Sequence, residues 1–226
     1  MNLEDAWKSP LIPQRQWDVI ALERDKIEHG KYMEVPPYRA FVDCLTGIIN
    51  YDYKRKDTME YPASIIEIGA SSGLYSRLIE KAFGKTFDYT GLDYSQAFVD
   101  FAKKTHPDVK YLLGDAVCLE NIPTNKYDVV ISGCCLLHIP EWKKAMREAV
   151  RVAKSYVIFH RTPIVTKKQT YSFTKLAYGV ECMEWNFNRR DFFGTIDLLG
   201  LKVINEVEVF SQPEIDYSHI TIGCQK

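Results

Sequence analysis

Between residues 63 and 161 five apolar runs recur with helical stretches among them, and this alternation constrains the fold more than any other feature of the chain. The runs are ASIIEIG (63–69), FDYTGLD (87–93), VKYLLGD (109–115), YDVVISGCCLL (127–137) and SYVIFHR (155–161). The stretches GLYSRLIEKAF (73–83), SQAFVDFAKKT (95–105) and EWKKAMREAVRVA (141–153) have the three-to-four-residue apolar spacing of amphipathic helices. Near-continuous apolar runs suit strands buried on both faces, and strand–helix alternation calls for right-handed crossovers. The expectation is an α/β fold, a mostly parallel sheet with helices on both faces. After a last helix, RRDFFGTIDLLG (189–200), the runs LKVINEVEVF (201–210) and DYSHITIGCQ (216–225) are joined only by SQPEI, which predicts a terminal antiparallel hairpin.

The first 60 residues have a different rhythm. QWDVIALERDKIEHG (16–30) and YRAFVDCLTGIINY (38–51) are helical in period, with two prolines in EVPPY between them and a polar connector, DYKRKDTMEYP, after them. This predicts a helical cap over residues 1–60 and a core over 61–226, with an insertion at about 162–188. Charge is nearly balanced, 29 Lys and Arg against 30 Asp and Glu, so nothing draws the chain as a whole to nucleic acid or to a membrane surface. The opening MNLEDAWKSP lacks the charged-then-apolar pattern of a leader, and no run reaches the roughly 18–20 apolar residues of a membrane span. A cytoplasmic protein is expected. Its six cysteines (44, 118, 134, 135, 182, 224) form no CxxC pair and read as reduced thiols, with Cys134 and Cys135 on opposite faces of a strand. No metal site is expected.

The turn EIGASSG (67–73) stands where the first strand ends, the position at which open parallel sheets bind ligands. Gly69 and Gly73 permit a tight turn and close backbone approach, and Glu67 at the strand end needs a donor such as an ammonium. The spacing is neither a G-x-G-x-x-G dinucleotide fingerprint nor a P-loop, since position 71 is serine and Gly73 is followed by Leu74. Asp93 closes the second strand, where a carboxylate can accept two ribose hydroxyls, and Asp115 follows the third.

In this ordered set the chain resembles the class I S-adenosylmethionine-dependent methyltransferases, whose Rossmann-like sheet has seven strands and ends in an antiparallel hairpin. The resemblance covers about residues 63 to 161 by motif, and Ser71 departs from the middle glycine of the family's E/D-x-G-x-G-x-G turn. It implies S-adenosylmethionine as cofactor. Its methionine end would be held by Glu67, Gly69, Ala70, Ser71 and Gly73, its ribose by Asp93 with Tyr94, and its adenine by Asp115 and Ala116. Ser132 and Gly133 would line the site after strand four, and Tyr38 would open a cap helix closing over the cofactor.

An alcohol acceptor benefits from a general base, and two histidines stand near the strand ends that face the acceptor in this family: His138 first, His160 second. The insertion should build the acceptor pocket, with Arg161, Tyr171, Tyr178 and Trp185 as candidates. Residues 160–190 hold six Lys and Arg against two Glu, which fits an anionic acceptor, phosphorylated or nucleotide-linked, as well as a solvated basic face. The expected activity is methyl transfer to a small molecule, at oxygen. The alternatives are a protein or RNA methyltransferase, or a non-catalytic protein that binds the cofactor.

Overall fold

The structure is a computed structural model and describes residues 3–55 and 59–226. Residues 56–58 of the connector lie outside the described residues. The four strands β1 (Ala63–Ile68), β2 (Phe87–Asp93), β3 (Lys110–Leu113) and β4 (Tyr127–Gly133) are parallel, in the spatial order β3-β2-β1-β4. Next to β4 runs β5 (Ala153–Val165), also parallel. The terminal hairpin, β8 (Lys202–Gln212) and β9 (Tyr217–Gln225), joins antiparallel to the far edge of β5 through β9. These are the seven strands the alternation predicts.

A second hairpin, β6 (Tyr171–Ala177) and β7 (Val180–Asn188), occupies the predicted insertion. Its β7 runs parallel to the end of β5, pairing Ile164 with Phe187 and Val165 with Asn188. That is the edge of β5 which β4 vacates when it ends at Gly133, opposite His160. The hairpin therefore stands beyond the carboxyl ends of the parallel strands, where ligands bind in such sheets.

Helices cover both faces. On one, α6 (Trp142–Val152) and α7 (Arg189–Leu198) bury Trp142, Met146, Phe192 and Ile196 against Ile66, Val130 and Phe159. On the other, α4 (Leu74–Phe83) and α3 (Pro36–Arg55) bury Leu78, Phe41, Leu45 and Ile48 against Ile65, Val129 and Ile158. Pro36 stands at the start of α3, where a missing N–H costs nothing, rather than ending a helix. α5 (Gln96–Thr105) packs Val99 and Ala102 against Tyr111. So α3 shares the sheet's own core, and α1 (Ile12–Val19) and α2 (Ala21–Glu28) are the part of the N-terminal segment that reaches over the strand ends. Among the described residues no helix is long and apolar enough to cross a membrane.

Several polar contacts fasten α3 to the sheet, and one of them is centred on a buried acid. The buried Asp52 accepts from the Tyr156 hydroxyl on β5 (2.9 Å) and from the Met59 backbone N–H (3.3 Å). Replacing it with alanine leaves two buried donors without this acceptor. Urea unfolding of Asp52→Ala should therefore show a loss of about 1–3 kcal/mol, and an unchanged midpoint would show that the contact contributes nothing.

Candidate active site

The turn after β1 takes a left-handed backbone at three alternate positions, Gly69 (φ 75°), Ser71 (φ 53°) and Gly73 (φ 81°). Glycine adopts this conformation without strain, whereas serine does so at a cost. Ser71 is held there from two sides. Its N–H donates to Asp93 Oδ2 (2.9 Å), and its hydroxyl donates to Gln16 Oε1 on α1 (2.6 Å). Asp93 Oδ1 accepts from the Ser95 N–H (2.9 Å). An ionised carboxylate has about four acceptor positions, so Asp93 keeps acceptor capacity for a ligand's hydroxyls.

Glu67 ends β1 and is 1% exposed. It accepts a hydrogen bond from the Tyr89 hydroxyl, and Gly133 leaves it room, because a Cβ at that position would overlap the Glu67 carboxyl. Burial pushes Glu67 up to about 8, against the pull of the Tyr89 hydroxyl, and pushes Asp93 up to about 6, against its backbone donors. Two neighbouring acids with so little solvation need a cation or hydroxyl donors in front of them.

What lies in front of them is a cavity of about 890 Å³. Pockets for drug-sized ligands run to roughly 300–1,000 Å³, so it has room for a large cofactor and a small partner. Glu67, Gly69, Ala70, Ser71, Asp93, Tyr94, Asp115, Ala116, Gly133 and Tyr38 all line it, as do His138, Arg161 and Tyr178. Gly73 and Ser132 do not reach its wall: Gly73 lies against Tyr111, and the Ser132 hydroxyl sits 3.4 Å from the Cys135 thiol.

The two candidate histidines part company. The run read as one long strand to Leu137 stops at Gly133, since Cys134 turns into the left-handed region (φ 61°) and Leu136–His138 forms a 3₁₀ turn. Cys134 and Cys135 are thus turn residues on the cavity wall, not strand residues on opposite faces. The same turn carries His138 to the cavity. Its Nδ1 lies 3.0 Å from the Met183 carbonyl oxygen, which can only accept, so Nδ1 holds the proton and Nε2 keeps a lone pair. Burial lowers its pKa, leaving the ring neutral and able to take a proton. His160 is 2% exposed and lies behind Tyr75, with Nε2 2.6 Å from that hydroxyl and Nδ1 2.8 Å from Thr221 Oγ1. The structure does not bring it to the cavity.

Of the insertion candidates, Tyr171 and Trp185 also stay off the wall. Tyr171 takes a hydrogen bond from Asn186, and the Trp185 indole donates to the Ile139 carbonyl. Sequence reasoning missed several wall residues: Trp7 and Gln16 from the N-terminal segment, Tyr75 on α4, and Lys175, Glu184, Tyr217 and His219 from the hairpins. His138, Cys182 and Glu184 bring potential metal-ligating atoms within 4.8 Å of one another. Glu184 lies 3.3 Å from the Lys175 ammonium, the Cys182 thiol donates to the Lys175 carbonyl, and His138 is bonded through Nδ1.

The roof over the cavity is tied down. Besides Gln16–Ser71, Arg15 donates to the Tyr178 carbonyl (3.1 Å), and Trp7 packs on His138 (ring centroids 4.7 Å apart) and on Tyr178 (5.9 Å).

Comparison with known proteins agrees with this geometry. The family described as "Methyltransferase domain" matches residues 66–159. The demethylmenaquinone methyltransferase of Lysinibacillus sphaericus (strain C3-41) is 24% identical over 123 residues, 50% of this chain and 52% of that protein. The malonyl-[acyl-carrier protein] O-methyltransferase of Halalkalibacterium halodurans is 28% identical over 112 residues, 47% of this chain and 39% of that one. The chain thus spans about half the length of these relatives, or less. Among solved structures, magnesium protoporphyrin IX methyltransferase (ChlM) from Synechocystis PCC 6803, with bound SAM, superposes with a TM-score of 0.55 at 13% identity, over 83% of this chain and 80% of that one. Residues 66–159 thus match a methyltransferase-domain family, and the fold is the class I Rossmann-like one.

The raised acids set a pH dependence. Both carboxyls sit above their ordinary values of 4.5 and 3.8, so the folded protein holds protons that the unfolded chain releases. Their contribution to stability is full below those ordinary values and is lost as pH rises through about 6 for Asp93 and about 8 for Glu67. Cofactor-free protein should therefore unfold at lower denaturant near pH 8.5 than near pH 5. Glu67→Gln should be the more stable chain at the higher pH, by on the order of a few kcal/mol. Parallel pH curves for the two proteins would contradict this assignment.

Proposed function

We propose that this chain, whose residues 66–159 match a methyltransferase-domain family, is an S-adenosylmethionine-dependent methyltransferase acting on a small-molecule acceptor, at oxygen. The observation that carries the reading is one cavity whose wall gathers both kinds of group. It joins the Glu67–Ser71 turn, Asp93 and Asp115 at one end to a neutral histidine with a free lone pair at the other.

The residues present fit the cofactor. Glu67, buried and raised toward neutrality, would take its ammonium, Asp93 has spare acceptor capacity for ribose hydroxyls, and Asp115 with Ala116 stands where the adenine would lie. When bound, the cofactor supplies an electrophilic methyl on a sulfonium. The chain's own task is to align the acceptor with that methyl and to remove the proton of a hydroxyl as the oxygen attacks. His138 would take that proton on Nε2, with Nδ1–H anchored to the Met183 carbonyl and the ring face held by Trp7. The name of the Halalkalibacterium relative, an O-methyltransferase, supports oxygen as the acceptor atom. Trp7, Arg15 and Gln16 lie over part of the cavity, which favours a small acceptor over the macromolecular alternatives.

Calorimetry with S-adenosylhomocysteine tests the cofactor assignment. The native chain should bind with a micromolar Kd, and Asp93→Ala should weaken it tenfold or more, about 1.4 kcal/mol per tenfold. A folded native chain that does not bind would overturn the proposal. Once an acceptor is found, His138→Gln should keep cofactor affinity while the rate of transfer to oxygen falls by about 10²–10⁴-fold; an undiminished rate would remove His138 from the reaction.

A further inference from the structure

Among the described residues, three buried side-chain nitrogens of residues that line the cavity have no hydrogen-bond partner: Trp7 Nε1, Arg161 Nε and His219 Nδ1. Indole and guanidinium N–H groups can only donate, and leaving such groups buried and unpaired costs stability. His219 Nε2 is 2.6 Å from the Tyr217 hydroxyl. When that hydroxyl donates to Nε2, the one proton of the neutral ring falls on Nδ1 and makes it a third donor. Burial holds the ring neutral, pushing His219 down to about 3.

Arg161 is delivered by an irregularity in β5. The pairing of β5 with β9 shifts between Phe159 and Thr162, so that His160 and Arg161 stand across from Thr221. Arg161 takes the left-handed backbone there (φ 54°), which a non-glycine residue adopts only at a cost. The bulge breaks the in–out alternation of the strand and lets the guanidinium face the cavity, among Tyr38, Tyr75, Tyr178 and Cys134. Among the described residues no carboxylate forms an ion pair with it. The other cation at this end, Lys175, is already matched by Glu184 (3.3 Å).

We propose that Arg161, Trp7 and His219 form a subsite for a single carboxylate group carried by a flat, aromatic methyl acceptor. The inference rests on the methyltransferase reading and narrows its acceptor. One uncompensated guanidinium with neutral donors beside it suits a monoanion, whereas a phosphate dianion would leave a charge unmatched. The surrounding tyrosine and tryptophan rings suit a flat acceptor body. The cofactor would have its own partners in Glu67, Asp93 and the amino end of α4.

The test is calorimetric titration of the full chain with benzoate, 4-hydroxybenzoate and indole-3-acetate, each against its primary amide and against inorganic phosphate, with and without saturating S-adenosylhomocysteine. At least one carboxylate should bind ten times or more tighter than its amide. Arg161→Met should abolish that preference, Arg161→Lys should retain part of it, and Trp7→Phe or His219→Phe should weaken it several-fold. S-adenosylhomocysteine affinity serves as the check that each variant is folded and should stay within about threefold of native.

Three outcomes would overturn the subsite: carboxylate and amide binding equally or neither binding, phosphate competing as well as the carboxylates, or Arg161→Met losing S-adenosylhomocysteine in a chain that still unfolds cooperatively. The last would give the guanidinium to the cofactor's own carboxylate. A native chain that prefers carboxylates yet ignores S-adenosylhomocysteine would separate the subsite from the methyltransferase reading and leave only the latter refuted.

Discussion

Two carboxylates end neighbouring parallel strands with almost no water around them, and much of the site is arranged by that constraint. Strand register sets Glu67 on β1 across from Gly91 and Asp93 two residues further along β2, so the two acids are diagonal neighbours on one face of the sheet. Asp93 then holds the following turn by accepting the Ser71 N–H, and the start of α5 by accepting the Ser95 N–H. The left-handed turn, the helix entry and the wall of the cavity thus share one acid as their common fastener. A fold stabilised for its own sake would not keep a second acid, Glu67, where burial pushes it up to about 8. A cation in front of it would offset that cost.

The sequence made the sheet legible because its signals are periodic and local. Apolar runs, helix spacing and the terminal hairpin all depend on neighbours a few residues apart, and so does the turn from Glu67 to Gly73. Where an element's limits were misread, a single backbone angle was responsible. Cys134 looks like one more apolar residue in a run of eleven, yet it turns left-handed and ends β4 at Gly133. Arg161 looks like the last residue of a strand, but β5 continues to Val165 through a bulge. The β6–β7 hairpin did leave a local trace. Tyr178 and Gly179, at φ 53° and 80°, form the two-residue left-handed turn that joins hairpin strands, and Tyr–Gly between alternating runs is a signal of that kind.

The rest of the site depends on distant contacts, and sequence spacing carries no record of those. His160 had the right strand and the right end, and what keeps it from the cavity is Tyr75, a residue 85 positions earlier. Trp7 and Gln16 come from a polar N-terminal segment whose apolar face is short, so nothing in its pattern announces that it roofs the cavity. His219 lies on the last strand, where alternation predicts only burial. Its importance comes from one unpaired nitrogen, visible only once the partners of every neighbouring atom are known.

The two ends of the cavity obey the same electrostatic logic with opposite sign. At the strand-end turn, buried acids lack a cation. At the β5 bulge, a guanidinium lacks an anion. The two charges do not neutralise each other by pairing, because Gly133, Cys134 and the cavity itself lie between the strands that carry them. A ligand pair that offers a cation to the acids and an anion to the guanidinium would satisfy both. The left-handed backbone has a local consequence at each place: at Ser71 it goes with an N–H held by Asp93, and at Arg161 with the bulge that lets the guanidinium face the cavity.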